Sequence, residues 1–133
     1  ITGLFTVLVD GDDMNEPVAD VVRGILDGHI ILSRKLAAKN HFPAIEIGGS
    51  ISRLMTAIVD ENHKAMASKI RDILALYEEN ADLISIGAYK AGANARLDNA
   101  VARIDAINRF LKQSTTEFFD YEEVLEGMTR ILE

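Results

Sequence analysis

Leu4-Phe5-Thr6-Val7-Leu8-Val9 and, beyond an intervening helical stretch, His29-Ile30-Ile31-Leu32 are the runs that set the fold class. The first is almost continuously apolar, rich in β-formers, and stops at Asp10-Gly11-Asp12-Asp13. A run of that kind predicts a buried strand of a parallel sheet. Between the two runs, Asn15 offers an N-cap and Pro17 falls in a first helical turn, where its missing N–H costs nothing. Val18, Val22, Ile25 and Leu26 supply the apolar stripe, and Gly28 stands where a helix-ending glycine belongs. Strand, helix and strand together read as a β-α-β unit. Two short strands make no stable sheet. The rest of the sheet is therefore expected upstream of Ile1, and the chain reads as a piece of something longer.

Working outward, Ser33 predicts the cap of a short helix running to Asn40. Pro43 disfavours helix at Phe42, so residues 41–47 are expected to be extended. Gly48-Gly49-Ser50 reads as a flexible turn. The period then changes. Apolar residues recur at helical spacing through Leu54, Met55, Ile58, Val59, Met66, Ile70, Ile73, Leu74 and Tyr77, in a helix expected to start near Ile51 and to break near Asn62-His63. Residues 87–94 are Gly/Ala-rich and predict a loop or a helical hairpin. Further amphipathic helices follow at Leu97, Ala100, Val101, Ile104, Ile107 and Leu111, and at Tyr121, Val124, Leu125, Met128, Ile131 and Leu132. The expected fold is mixed α/β but mostly helical: the tail of a parallel-sheet α/β domain over residues 1–56, then a small all-α domain over residues 57–133.

Composition narrows the function classes. Nearly half of the 133 residues (48%) are hydrophobic and about a quarter (26%) charged, which fits a soluble globular protein. No apolar run is long enough for a transmembrane helix. There is no cysteine, which removes disulfide and thiolate chemistry. The net charge of −7, with scattered Lys and Arg, argues against a nucleic-acid partner and suits a basic protein surface instead.

Three constellations carry possible chemistry. The turn Asp10-Gly11-Asp12-Asp13-Met14-Asn15-Glu16 is acidic, but it fails the calcium-loop pattern: Asn15 stands where Gly is needed and Val21 where a bidentate Glu should be. It is either a solvated entry to a helix, whose N-terminus favours acids, or a partner-contact loop. Arg53 is expected in the first turn of a helix capped by Ser50 or Ser52. A cation there opposes the helix dipole at a cost of about 0.3–1 kcal/mol. It is either an exposed surface residue or a residue kept for bidentate phosphate contact. Phe42, an aromatic before proline in an extended loop, either packs into the core or stacks on a planar ligand. His29, His41 and His63 share no metal-ligand spacing, and no GxxxxGK[ST] phosphate loop occurs.

The motifs Asp27-Gly28-His29-Ile30-Ile31-Leu32-Ser33-Arg34, His41-Phe42-Pro43-Ala44-Ile45 and Ser50-Ile51-Ser52-Arg53-Leu54-Met55, in this order, resemble the rotary-ATPase superfamily. Ile86-Gly87-Ala88-Tyr89 and Leu97-Asp98 make the chain most similar to the flagellar and type III secretion export ATPases. The resemblance implies the C-terminal third of a hexameric Mg-ATP-driven motor, cytoplasmic and peripheral at the inner-membrane export apparatus. Its P-loop and Mg²⁺ ligands would lie upstream, so the isolated piece is expected to be inactive. It implies that Arg53 is an arginine finger acting on a neighbouring subunit's γ-phosphate and that Phe42 packs on adenine. Asp12, Asp13, Asn15 and Glu16 would touch a stalk-like coiled-coil partner. Export substrates and their chaperones are the other implied partners, and the membrane is met only through the export gate. Residues 92–96 depart from the Ser-Asp-Pro loop of that family. Ser114-Thr115-Thr116 stand where a second adenine-facing aromatic would be expected, with Phe118 and Phe119 nearby. Two other readings are a subunit of an F-type or V/A-type rotary synthase, and a non-enzymatic helical interaction module.

Overall fold

The computed structural model describes residues 1–133, the side chain of Asp12 excepted. In chain order the elements are α1 (Pro17–Ile25), β1 (Gly28–Leu32), α2 (Arg34–Ala38), β2 (Ile45–Ser52), α3 (Met55–Ile58), α4 (Glu61–Glu79), α5 (Ala81–Ser85), α6 (Ala95–Phe110) and α7 (Tyr121–Leu132). A short 3-10 turn at Asp10–Asp12 precedes α1. The chain is thus mixed α/β in its first part and all-helical after β2.

The helical half is built on capped helices that bury one another. Asp60 Oδ1 accepts the His63 N–H at 2.7 Å to start α4. Asn94 Oδ1 accepts from the N–H groups of Arg96 and Leu97 to start α6. Asp120 and Glu123 form a reciprocal capping box at α7, satisfying two otherwise unpaired N–H groups. Met66, Ile70 and Ile73 from α4, Ala100 and Ile107 from α6, and Met128 and Ile131 from α7 form one buried cluster. Ile107 is fully enclosed. These positions lie three, four or seven residues apart within each helix, so each helix presents a single apolar stripe to the other two.

The first half departs from expectation in several places. Residues 4–9 form no strand, and Leu4, Phe5 and Leu8 are exposed. Neither β1 nor β2 pairs with them, so their N–H and C=O groups have no ladder to join. β1 pairs antiparallel with β2 rather than with the first run, which removes the β-α-β unit. The cap of α1 is Glu16, not Asn15, with Pro17 as the first helical residue. Asn15 is instead held in the preceding turn, its N–H donating to Asp13 Oδ1 at 2.9 Å.

Gly48-Gly49-Ser50 is not a free turn but part of β2. The register runs Gly28↔Ser52 and His29↔Ile51, then shifts to Ile31↔Glu46 and Leu32↔Ile45. The extra β2 residues bulge, and side chains satisfy their polar groups. Ser50 Oγ donates to Glu46 O at 2.6 Å and accepts the Ile31 N–H at 3.0 Å. The Glu46 carboxylate accepts the Gly49 N–H, and His29 Nε2 lies 3.0 Å from Gly49 O. A Cβ on Gly49 would fall 2.6 Å from Glu46 Oε2 and 2.8 Å from Ile31 Cδ1, both ends of flexible side chains that would have to swing aside.

Gly28 also differs from its expected role. α1 has already ended at Ile25, and Gly28 opens β1. A Cβ there would lie 2.5 Å from Ile51 O and 3.2 Å from Ser52 Cα, both main-chain atoms that cannot swing aside. Gly28→Ala is therefore expected to destabilise the hairpin by about 1–3 kcal/mol through overpacking. Hydrogen exchange of the β1 and β2 amides should show the loss, with the α6 amides little changed. Equal protection of β1 in the variant would contradict the close approach.

Candidate functional site

Arg53 follows β2 directly and is not in a helix. Ser50 and Ser52 belong to the strand, and the next helix, α3, begins at Met55 with Leu54 as its N-cap. The expected conflict with a helix dipole therefore does not arise. The sequence reading erred because strand and helix both place serines ahead of an apolar run. Two main-chain contacts fix the arginine instead. Its N–H donates to Asp27 O at 2.8 Å, extending the hairpin by one residue. Its guanidinium donates to Arg23 O at 3.2 Å, at the end of α1. The side chain is exposed and makes no ion pair among the described residues. The guanidinium thus keeps its full charge and most of its five donors for another group.

Phe42 is half-exposed, at 52%, so the core-packing alternative is not how this loop is built. Its neighbour His41 is the buried one, at 6%. The His41 N–H donates to Leu36 O at 3.0 Å, closing α2 behind Asn40, which has a positive φ of 55°. Burial pushes the His41 imidazole below its ordinary pKa, the Lys112 charge acts the same way, and a hydrogen bond to the Leu111 backbone opposes both. The Phe42 carbonyl accepts the Gln113 N–H at 3.0 Å, and the Ala44 carbonyl accepts the Ser33 N–H at 2.8 Å. The aromatic ring is thus presented by a loop whose flanks are tied down.

The acidic segment is ordered by its own backbone. The Asp13 N–H donates to Asp10 O and the Glu16 N–H to Asp13 O. The Asp13 carboxylate serves the Asn15 N–H. The side chain of Asp12 lies outside the described residues. No group of three His, Cys, Asp or Glu among the described residues is placed to hold a metal ion. No helix among them is long and apolar enough to cross a membrane. Among the described residues, Arg53 and Phe42 share no hydrogen-bond partner, and neither bonds to the acidic turn.

The sequence does not mark out the pairing of the His41-Phe42 loop with residues 111–113. The signal was weak: a lone histidine before Phe-Pro carries no spacing, and its partners lie some seventy residues away along the chain. Likewise Asp98 turned out to organise the 87–94 loop. Its carboxylate accepts from Tyr89 OH at 2.6 Å and from the Gly92 N–H at 3.0 Å. That hydrogen bond raises the Tyr89 pKa above its ordinary value.

The chain thus runs from a two-stranded hairpin that ends at an exposed arginine into a core of three helices. Residues 1–52 match the ATP synthase alpha/beta family nucleotide-binding domain, and residues 59–130 match the T3SS EscN ATPase C-terminal domain. The chain belongs to the flagellar and type III secretion ATPase family. It is 50% identical to a type 3 secretion system ATPase of Sinorhizobium fredii, over 98% of this chain and 29% of that protein. It is 50% identical to a flagellum-specific ATP synthase of Bacillus subtilis, over 98% of this chain and 30% of that protein. Its fold superposes on the assembled ATPase EscN of the enteropathogenic E. coli type III secretion system with a TM-score of 0.92 and 40% identity, covering 96% of this chain and 31% of that one. EscN in complex with its central stalk EscO gives 0.83 at 40% identity, over 88% and 29%. The chain therefore spans about three tenths of the length of the relatives it matches.

Proposed function

We propose that this chain is the C-terminal third of an ATPase that energises flagellar or type III protein export. Residues 1–56 would complete its catalytic domain and residues 57–133 would form its C-terminal domain. The observation that carries the reading is Arg53: an exposed guanidinium with no carboxylate partner among the described residues, fixed by main-chain contacts at a sheet end. Phosphoryl transfer spreads negative charge over the equatorial oxygens and the leaving oxygen. A planar guanidinium supplied by a neighbouring subunit meets that charge with two parallel donors. Phe42 supplies an aromatic face for adenine. Mg²⁺ and the phosphate-cradling loop are assigned to residues outside this chain, which carries no GxxxxGK[ST] loop of its own.

The boundary near residue 56 is supported by the core: every member of the main buried cluster lies between Met66 and Ile131. A finger that works in trans requires a neighbouring subunit, and the homo-hexamer is the assembly that the family resemblance implies. Asp12, Asp13, Asn15 and Glu16 form the segment we assign to a stalk-like coiled-coil partner. Export substrates and their chaperones are the further partners of this reading, at the cytoplasmic side of the export gate.

The test is hydrolysis. The full-length protein is expected to release phosphate from Mg-ATP, and the purified 1–133 chain is expected to show none above background. Turnover that scales with the concentration of the 1–133 chain and survives contaminant controls would refute the division of labour. A full-length protein without Mg-ATP turnover would refute the function itself.

A further inference from the structure

The Phe42 loop is tied to the helical half at the one point where its aromatic faces outward. On its inner side His41 is buried, with the Leu111 backbone and the Lys112 charge near its ring. On its outer side the Phe42 carbonyl takes the Gln113 N–H at 3.0 Å. Both partners come from residues immediately after α6, whose own end is fixed by the Leu111 N–H donating to Ile107 O at 2.9 Å and the Lys112 N–H to Arg109 O. Ile107 is the fully enclosed centre of the helical core. A continuous path of main-chain bonds therefore runs from the centre of the helical core to the peptide that carries the aromatic ring. The Gln113 side chain anchors this strap on its far side, donating to Glu117 O at 2.8 Å, and the Ser114 N–H bonds the Glu117 carboxylate.

We propose that residues 111–113 are positioning residues for Phe42, holding the adenine-packing loop through the Gln113 N–H, with the buried His41 behind it. The inference rests on the reading of Phe42 given above. A stacking ring on a free loop must be ordered at the moment of binding, whereas a strapped loop has been ordered in advance, and pre-organisation appears as tighter binding. The strap leaves the phosphates and Arg53 untouched. Its loss should act on the binding of ATP and not on the chemical step. It also makes nucleotide affinity sensitive to any displacement of the end of α6, so a partner that shifts the helical domain changes the hold on the base.

Steady-state kinetics in the full-length protein test this, with assembly and circular dichroism verified for each variant. Gln113→Pro removes the N–H and is expected to raise KM for ATP roughly three- to tenfold, the loss of about one hydrogen bond, with kcat within twofold. Gln113→Ala keeps the N–H and should have a smaller effect. On a Phe42→Ala background, which itself raises KM, Gln113→Pro should add nothing, because the strap works only through the ring. If Gln113→Pro does not fold, His41→Ala decides by the same three readings. A raised KM in Phe42→Ala together with unchanged KM in the strap variants overturns the strap alone. So does a strap effect that adds fully to Phe42→Ala. An unchanged KM in Phe42→Ala removes the adenine reading, and the strap proposal falls with it.

Discussion

Arg53→Ala in the full-length protein is expected to lower ATP turnover by about 10³–10⁵, the range that arginine fingers contribute in phosphoryl transfer. Nucleotide binding and folding should be nearly unchanged. The side chain is exposed and its guanidinium bonds a single carbonyl, while its main-chain bond to Asp27 O survives substitution. Arg53→Lys is not expected to restore the rate, because an ammonium lacks the planar fork. Mixed assemblies add a second reading. A phosphate-loop variant and Arg53→Ala, each inactive alone, should regain partial activity when combined, since some interfaces then pair an intact phosphate site with an intact arginine. Wild-type turnover by Arg53→Ala in verified assemblies would return Arg53 to an ordinary surface residue.

Ile107→Ala is expected to cost about 2–5 kcal/mol, the range for large-to-small changes in a closed core. Ile107 is wholly inaccessible and sits in the cluster that joins α4, α6 and α7, so little can relax into the space. The urea midpoint should fall accordingly, read by helical circular dichroism. Ile86→Ala, at an exposed site, is the comparison and should shift the midpoint little. A similar small shift for Ile107→Ala would mean that the three helices do not share one core.

The helical half was legible because its signals are local. The apolar stripe at helical spacing was readable on the segments that form α4, α6 and α7, whereas their caps were not read and the break expected near Asn62-His63 falls inside α4. The first half was less legible because strands are defined by partners. Residues 4–9 have the composition of a buried strand, yet composition cannot supply the neighbour that would make one. Gly48-Gly49-Ser50 has the composition of a turn, yet the Glu46 carboxylate and Ser50 hydroxyl turn it into a strand bulge. Of the candidate site, the identities Arg53 and Phe42 came from motifs, but their settings did not. A helix was expected around Arg53 and a strand end holds it. A long-range contact near Phe42 was not expected, because the residues that make it are remote in sequence.

That Arg53 is held through carbonyls has a consequence for how this region tolerates variation. Both acceptors, Arg23 O and Asp27 O, are supplied by any residue at those positions. The location of the cation is therefore written in strand register rather than in the identity of its neighbours. Side chains at 23 and 27 can drift without displacing it, whereas a bulkier residue at 28 or a one-residue insertion in the 45–52 segment re-aims it at once. An engineer wishing to transplant this cation into another scaffold would have to copy the hairpin and the end of the preceding helix, and could leave most of their surface to choice.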